Sequence, residues 1–312
     1  MSKHDRQSFL GETSEQDIKA ARVGIIGLGG GGSHVVQQLA HIGVEKYVLV
    51  DPDTIDETNL NRLVGGTLQD VSSSAAKIEI AERVIRCVVQ APEIKAYKAD
   101  WQSVVDVLKS CDVIIAGVDS VIAKDELDQF CRRYLIPFID MGMDVHKVRD
   151  RYLIAGQVVL TTAGAPCLRC MGIVTDDLLK LEAGRYGAAG GKPQVVWPNG
   201  VLASSAVGLF VQLICPWHDK TMPSAYLEYD GNKHSVTPSK SFALIQQQPC
   251  THYFPEEAGD GLFDVRAAPP VEAHTLVACT PDGPSAIIEQ PQRLRGLLRL
   301  LAAPWKKRLC IE

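Results

Sequence analysis

Arg22-Val-Gly-Ile-Ile-Gly27-Leu-Gly29-Gly30-Gly31-Gly32-Ser33 decides the fold. The apolar run Arg22–Gly27 reads as a buried strand. Glycines then crowd the chain ahead of a helix-forming run over about Ser33–His41. A second apolar strand, Tyr47–Val50, ends at Asp51. Strand, glycine-rich turn, helix and strand make a βαβ unit. Its crossover is right-handed, because a right-twisted strand feeding a right-handed helix packs back onto the sheet only that way.

Outward from that unit, residues 14–20 read as a short helix. Residues 72–90 place Ile78, Ala81, Val84, Ile85 and Val88 on one helical face. The continuous apolar runs Val113–Gly117 and Pro137–Met141 are those of parallel strands buried on both faces. Ile154–Leu160 and Ala225–Tyr229 continue the strand pattern in an antiparallel second half. Between them, residues 171–200 are glycine-rich and read as a long mobile loop, and Val201–Ile214 reads as a very apolar helix. The fold expected is α/β: a Rossmann-like sheet whose parallel half is followed by an antiparallel half, with helices on both faces. After about Pro255 the composition turns acidic and proline-rich and then basic, so a main domain over 1–255 and an accessory C-terminal segment over 256–312 are expected.

Hydrophobic residues make up 46% of the 312-residue chain and charged residues 22%, which is globular composition. The net charge of −5 predicts no nucleic-acid-binding surface. The first residues carry no apolar signal segment, and no run of about 18 apolar residues is apparent. A soluble cytoplasmic protein away from membranes is the expectation. The nine cysteines are an odd, scattered set that does not suit a disulfide framework.

The glycine loop leaves room for phosphate, because any Cβ there would hold the ligand away from the backbone N–H groups, and the helix N-terminus adds partial positive charge. Gly27, Gly29, Gly30 and Gly32 carry this pattern, and Asp51 is placed to accept hydrogen bonds from a ribose. A nicotinamide dehydrogenase would look the same to this point. The stretch Asp51-Pro-Asp53 through Asn59-Leu-Asn61-Arg62, and Lys77 opening the next helix, add cations beyond those a dinucleotide needs. They suit a triphosphate whose leaving pyrophosphate must be neutralised. Asp119, after the strand VIIAGV, lies where ligands bind in such sheets and is a carboxylate suited to Mg²⁺.

At this point the sequence resembles the ThiF/MoeB/HesA group related to ubiquitin-activating enzymes. The resemblance runs over about residues 4–253 through Asp5-Arg6-Gln7, the glycine loop, Asp51-x-Asp53, Asn59-Leu-x-Arg62, Lys77, the Asp119 strand, and Cys167-x-x-Cys170. It implies an enzyme that uses ATP and Mg²⁺. Asp51 would hold the ribose; Asn59, Arg62 and Lys77 would contact the phosphates; Asp119 would hold the metal. Arg6 would reach into the ATP site of a second copy, so a homodimer is implied. The substrate carboxylate would be the Gly-Gly terminus of a ubiquitin-like or sulfur-carrier protein, with a conjugating enzyme or sulfur donor as a further partner. Four positions depart from the pattern: Gly31, Leu63, and Lys124 and Asp128 where arginine and asparagine are usual. Lysine keeps the charge of arginine but loses its bidentate geometry.

Cys167 and Cys170 have metal-ligand spacing. The group usually completes a four-cysteine zinc site with a second pair near the end of the domain, where this chain reads Gln248-Pro-Cys250-Thr-His252. Either His252 or a tail cysteine such as Cys279 would be the fourth ligand of a structural zinc, or the pair is a metal-free remnant. Residues 171–200 hold no cysteine to carry a thioester, and Cys215 reads as core, so the reaction is expected to stop at the adenylate. His34 reads as a polar surface or capping residue. The competing readings are an enzyme acting on a small carboxylate or a modified tRNA base, a nicotinamide-dependent oxidoreductase, and an inactive scaffold.

Overall fold

In the computed structural model, which describes residues 4–184, 193–218, 223–253 and 258–259, the apolar runs form the strands of one mixed sheet. Helix α1 (Ser14–Ala20) leads into β1 (Arg22–Ile26), and α2 (Gly30–Ile42) and β2 (Lys46–Val50) complete the first βαβ unit. Then come α3 (Leu68–Ser72), α4 (Lys77–Val88), β3 (Glu93–Tyr97), α5 (Val105–Leu108), β4 (Val113–Ala116), α6 (Val121–Arg133) and β5 (Phe138–Val148). The remainder is β6 (Arg151–Thr161), α7 (Asp176–Ala183), α8 (Val196–Ile214), β7 (Ala225–Asp230), β8 (Ser235–Pro238) and α9 (Phe242–Ile245).

The strand order is β3-β2-β1-β4-β5-β6-β7-β8. Pairs from β3 to β5 are parallel and those from β5 to β8 antiparallel. Because the side-chain period of a strand is two, each parallel strand feeds two cores. Val23, Ile25, Leu49, Val113 and Ile115 meet α2, α4 and α8 on one face. Ile26, Val48, Val50, Ile114 and Ala116 meet α6 and Trp101 on the other. Helices therefore cover both faces, as the sequence implies. α8 is 19 residues long with a mean hydropathy of 1.3, long and apolar enough by composition to cross a membrane. Here that composition supplies a core: Leu202, Ala203, Ala206, Phe210 and Leu213 are buried.

Two expectations are corrected. The glycine-loop helix begins at Gly30 rather than at about Ser33. Glycine costs about 1 kcal/mol per helical position relative to alanine, yet tertiary crowding requires it. A Cβ on Gly32 would collide with the Gly27 carbonyl, and one on Gly30 would lie 2.6 Å from Asn199 Nδ2. The stretch read as a loop over 171–200 holds α7 and the first turn of α8. Thr175 caps α7 through its hydroxyl, which accepts the Leu178 N–H at 3.2 Å. Strand β3 and helix α6 had no reading from the sequence. The boundary at 255, Cys279 and the segment 256–312 lie outside the described residues, apart from 258–259.

Candidate functional site

Strand order reverses beside β1, with β2 and β3 on one side and β4 and β5 on the other. A crevice opens at the carboxyl ends of strands at such a switch point. The glycine loop leaving β1 and the Gly117–Asp119 loop leaving β4 form its floor. Gly27 sits at φ +82°, and a Cβ there would come within 2.9 Å of the Gly117 carbonyl oxygen, so the two loops press together. Gly29, the N-cap of α2, meets nothing within 4 Å of its Cβ position and carries no side-chain cap. The first-turn N–H groups of α2 thus have no side-chain cap and space opens at Gly29, a geometry that suits an anion.

The cleft is shallow and open to solvent. Its lining is mixed: Arg62, Lys77, Asp119, Gln194 and Asn199 supply polar groups beside Gly29 and Gly30, and Met141, Met143 and Leu202 supply apolar ones. Lys77 Nζ lies 2.6 Å from Asp53 Oδ2 and 4.0 Å from Asp51 Oδ1. Arg62 Nη1 donates to the Thr58 carbonyl at 2.6 Å and to Asn61 Oδ1 at 3.0 Å. Asp119 accepts from Gln194 Nε2 at both carboxylate oxygens, at 3.2 and 3.0 Å.

Asp51 organises the loop from behind. It is 4% exposed, and its carboxylate accepts the Leu28 N–H at 2.6 Å and the Asp53 N–H at 2.9 Å. Burial pushes its carboxyl above the usual carboxylate range, with Lys77 and these N–H groups pulling the other way. Thus Gly29, Gly30, Arg62, Lys77 and Asp119 come together in the cleft, whereas Gly27, Gly32, Asp51, Asp53 and Asn59 stand behind its lining. Asn59 is buried in a capping box with Asp56. Arg6 is exposed on the N-terminal turn Asp5–Leu10, outside the cleft of its own chain.

The departures noted in the sequence have structural reasons. A Cβ on Gly31 would sit 3.0 Å from Met141 Cε, so the extra glycine makes room for a methionine. Leu63 is buried with Ile55 and Ile80. Lys124 donates to both oxygens of the fully buried Asp140 at 2.7 and 2.8 Å, and to the Met141 carbonyl at 3.2 Å. Its charge lies beneath the cleft rather than in its lining. Asp128 accepts from Arg132 Nε, Thr161 Oγ1 and the Leu168 N–H, locking α6 to the Cys167 loop. His34 is half-buried against α8, close to Gly200, rather than a surface cap. Sequence reasoning missed Gln194, Asn199, Met141, Met143 and Leu202. Pro198, a residue tolerated in a helix's first turn, was the available signal for where α8 begins.

Cys167, Cys170, Cys250 and His252 converge, with all their ligand atoms within 4.8 Å of one another. The sulfurs of Cys167 and Cys170 are 3.5 Å apart and those of Cys170 and Cys250 3.7 Å. His252 Nδ1 lies 3.5 and 3.3 Å from the Cys167 and Cys170 sulfurs. A tetrahedral ion with Zn–S bonds of about 2.3 Å separates two sulfurs by about 3.8 Å, so the donor set fits zinc in type, number and spacing. Cys250 is held toward the thiolate, chiefly by the hydrogen bond from Cys167, whose own thiol is pushed up by that bond. Arg169, between the paired cysteines, forks onto Asp125 of α6 at 2.7 and 2.6 Å.

Comparison with known proteins gives a consistent result. Residues 2–251 match the ThiF family. A SAMP-activating enzyme E1 of Haloferax volcanii is 28% identical over 171 residues, 54% of this chain and 60% of that enzyme. A tRNA threonylcarbamoyladenosine dehydratase of Escherichia coli is 30% identical over 139 residues, 43% of this chain and 50% of that one. The chain thus spans 60% and half of those two relatives. The crystal structure of E. coli MccB with ATP superposes with a TM-score of 0.61 at 20% identity, covering 77% of this chain and 71% of that one. That likeness is one of fold.

Proposed function

The chain belongs to the ThiF family, and on that premise we propose that it adenylates the C-terminal carboxylate of a ubiquitin-like or sulfur-carrier protein at the expense of ATP. The carrying observation is the meeting, in one cleft, of an uncapped helix N-terminus, Arg62, Lys77 and Asp119. Four groups that bind phosphate or its counter-ion are more than a dinucleotide requires. The name of the archaeal relative, an activating enzyme, points the same way.

In this reading the N–H groups of the α2 first turn hold phosphate, while Arg62 and Lys77 balance the charge that builds on the departing pyrophosphate. Asp53 and, at a longer distance, Asp51 hold Lys77 in place beside the cleft. The Asp119 carboxylate fits Mg²⁺, which takes few protein ligands and many oxygens from phosphate; when bound it neutralises the phosphates. The substrate carboxylate is ionised at pH 7 and needs no general base. One of its oxygens bonds to the α-phosphorus as the bond to the β-phosphate oxygen breaks, giving an acyl-adenylate and pyrophosphate. The apolar lining residues Met141, Met143 and Leu202 suit the arriving tail. Arg6 would complete the site of a second copy in a homodimer. The Cys₃His set would hold a structural zinc that clips the Cys167 loop to the chain near Cys250. Residues 171–200 supply no cysteine, so transfer of the acyl group passes to a separate acceptor, a conjugating enzyme or a sulfur donor.

The dehydratase relative favours a second reading, adenylation of a modified base on tRNA; the net charge of −5 weighs against it. Exchange of radiolabelled pyrophosphate into ATP separates the two. Exchange stimulated by a ubiquitin-like protein ending in Gly-Gly, and lost in Asp119→Ala, is the expected result. Exchange stimulated by tRNA and by no such protein would overturn the proposal.

A further inference from the structure

Gln194 lies where no sequence signal pointed, yet it touches two parts of the cleft lining. Its Nε2 donates to both oxygens of Asp119. An amide set against both oxygens occupies the approach a cation would take, so amide and cation are alternatives. Its backbone carbonyl accepts from Asn61 Nδ2 at 3.0 Å, and Asn61 Oδ1 in turn accepts from Arg62 Nη1 at 3.0 Å. The next residue is fixed as well, because Asn199 Nδ2 donates to the Val195 carbonyl at 2.9 Å. A chain of four hydrogen-bonded groups therefore runs from Asp119 through Gln194 and Asn61 to Arg62.

We propose that Gln194 is a positioning residue that holds Asp119 until Mg²⁺ arrives with ATP. The proposal rests on the reading of Asp119 as the magnesium ligand. A cation on Asp119 removes the acceptor for the Gln194 amide. The Gln194 backbone stays tied to Asn61 and the Val195 carbonyl to Asn199, so only the side-chain amide need swing away. Metal and amide compete for one carboxylate, so removing the amide favours the metal while the contacts of Arg62 stay in place. Before ATP binds, the amide keeps the carboxylate partnered without burying a charge.

The test uses the full chain and no acyl substrate, so that binding alone is read. ATP is titrated calorimetrically at a series of Mg²⁺ concentrations and in EDTA, for wild type, Gln194→Ala, Gln194→Leu and Asp119→Asn. Both Gln194 variants should lower the Mg²⁺ concentration giving half-maximal promotion of ATP binding by about three- to tenfold, the range for releasing a charge-assisted hydrogen bond at a solvent-reached site. In EDTA their ATP affinity should stay within about twofold of wild type. A midpoint that is unchanged or raised overturns the inference, as does a shift in the alanine variant alone, which would report added space. Asp119→Asn identifies which reading has failed. If it removes Mg²⁺ promotion while the Gln194 variants leave the midpoint unmoved, only the role of Gln194 falls. If promotion persists at the wild-type midpoint, the magnesium reading of Asp119 falls and the inference with it.

Discussion

Replacing Gly29 with alanine separates a ligand's need for glycine from the fold's need. Gly29 lies at φ −71°, and a Cβ there meets nothing within 4 Å. The fold should register only the loss of a good N-cap residue, up to about 1 kcal/mol, or about 2–4 °C in melting temperature for a domain of this size. The methyl group would, however, fill the space where phosphate must approach the N–H groups of α2. Losing one charge-assisted hydrogen bond there costs about 1.5–3 kcal/mol, roughly a 10- to 150-fold weaker ATP affinity. Gly32→Ala is the contrast. Its Cβ collides with the Gly27 carbonyl, and forcing atoms into packed backbone costs about 1–3 kcal/mol or more. Thermal melts and calorimetric titration of ATP with Mg²⁺ on both variants give the comparison. Gly29→Ala binding ATP within about threefold of wild type would refute the phosphate reading of the loop. So would a melt that collapses as far as that of Gly32→Ala, because the glycine would then serve the fold.

Three further outcomes follow from the same geometry. Lys124→Met should destabilise the protein by about 3–5 kcal/mol in urea titration, since it strands a buried carboxylate on the fully buried Asp140, and Lys124→Met with Asp140→Leu should recover much of that loss. His34 has its pKa lowered by burial against α8, so the unfolded chain binds its proton first. Stability should therefore fall as pH drops through about 6.5, and His34→Gln should flatten that part of the urea-midpoint profile between pH 8 and pH 5.5. Protein purified without chelator should carry one zinc per chain by elemental analysis; Cys250→Ala should lose it and melt lower, whereas His252→Cys should keep it.

The parts of the fold legible in the sequence are those set by local rules. Continuous apolar runs located β1, β2, β4 and β5, because parallel strands buried on both faces admit little else. Strand β3 escaped because it is an edge: Glu93, Lys95 and Tyr97 alternate with Ile94 and Ala96, and the run is only half-buried. Helix α6 escaped for a related reason. Lys124, Asp128 and Arg132 look like surface charges, yet all three are buried and paired, a pairing set by Asp140, Thr161 and the Cys167 loop. Nothing within the helix's own sequence announces those partners. The stretch over 171–200 misled through its glycines, which mask the short helix α7 and the turn that opens α8.

The candidate site divides along the same line. Phosphate is small, charged and the same in every nucleotide, so it dictates glycine, arginine, lysine and aspartate at spacings a reader can find. The apolar part of the lining would meet a ligand through shape, and shape is written in Met141, Met143 and Leu202, residue types that any core would use. Even the odd glycine at position 31 makes sense only once Met141, from a strand more than a hundred residues on, is seen to occupy its space. The polar residues Gln194 and Asn199 likewise meet other elements: Asp119 and Asn61 for the first, and Gly30, which has no room for a Cβ, for the second. Chemistry shared by all nucleotides is therefore readable one residue at a time. The rest of the lining is held in pairs, and only the folded chain brings the members of each pair together.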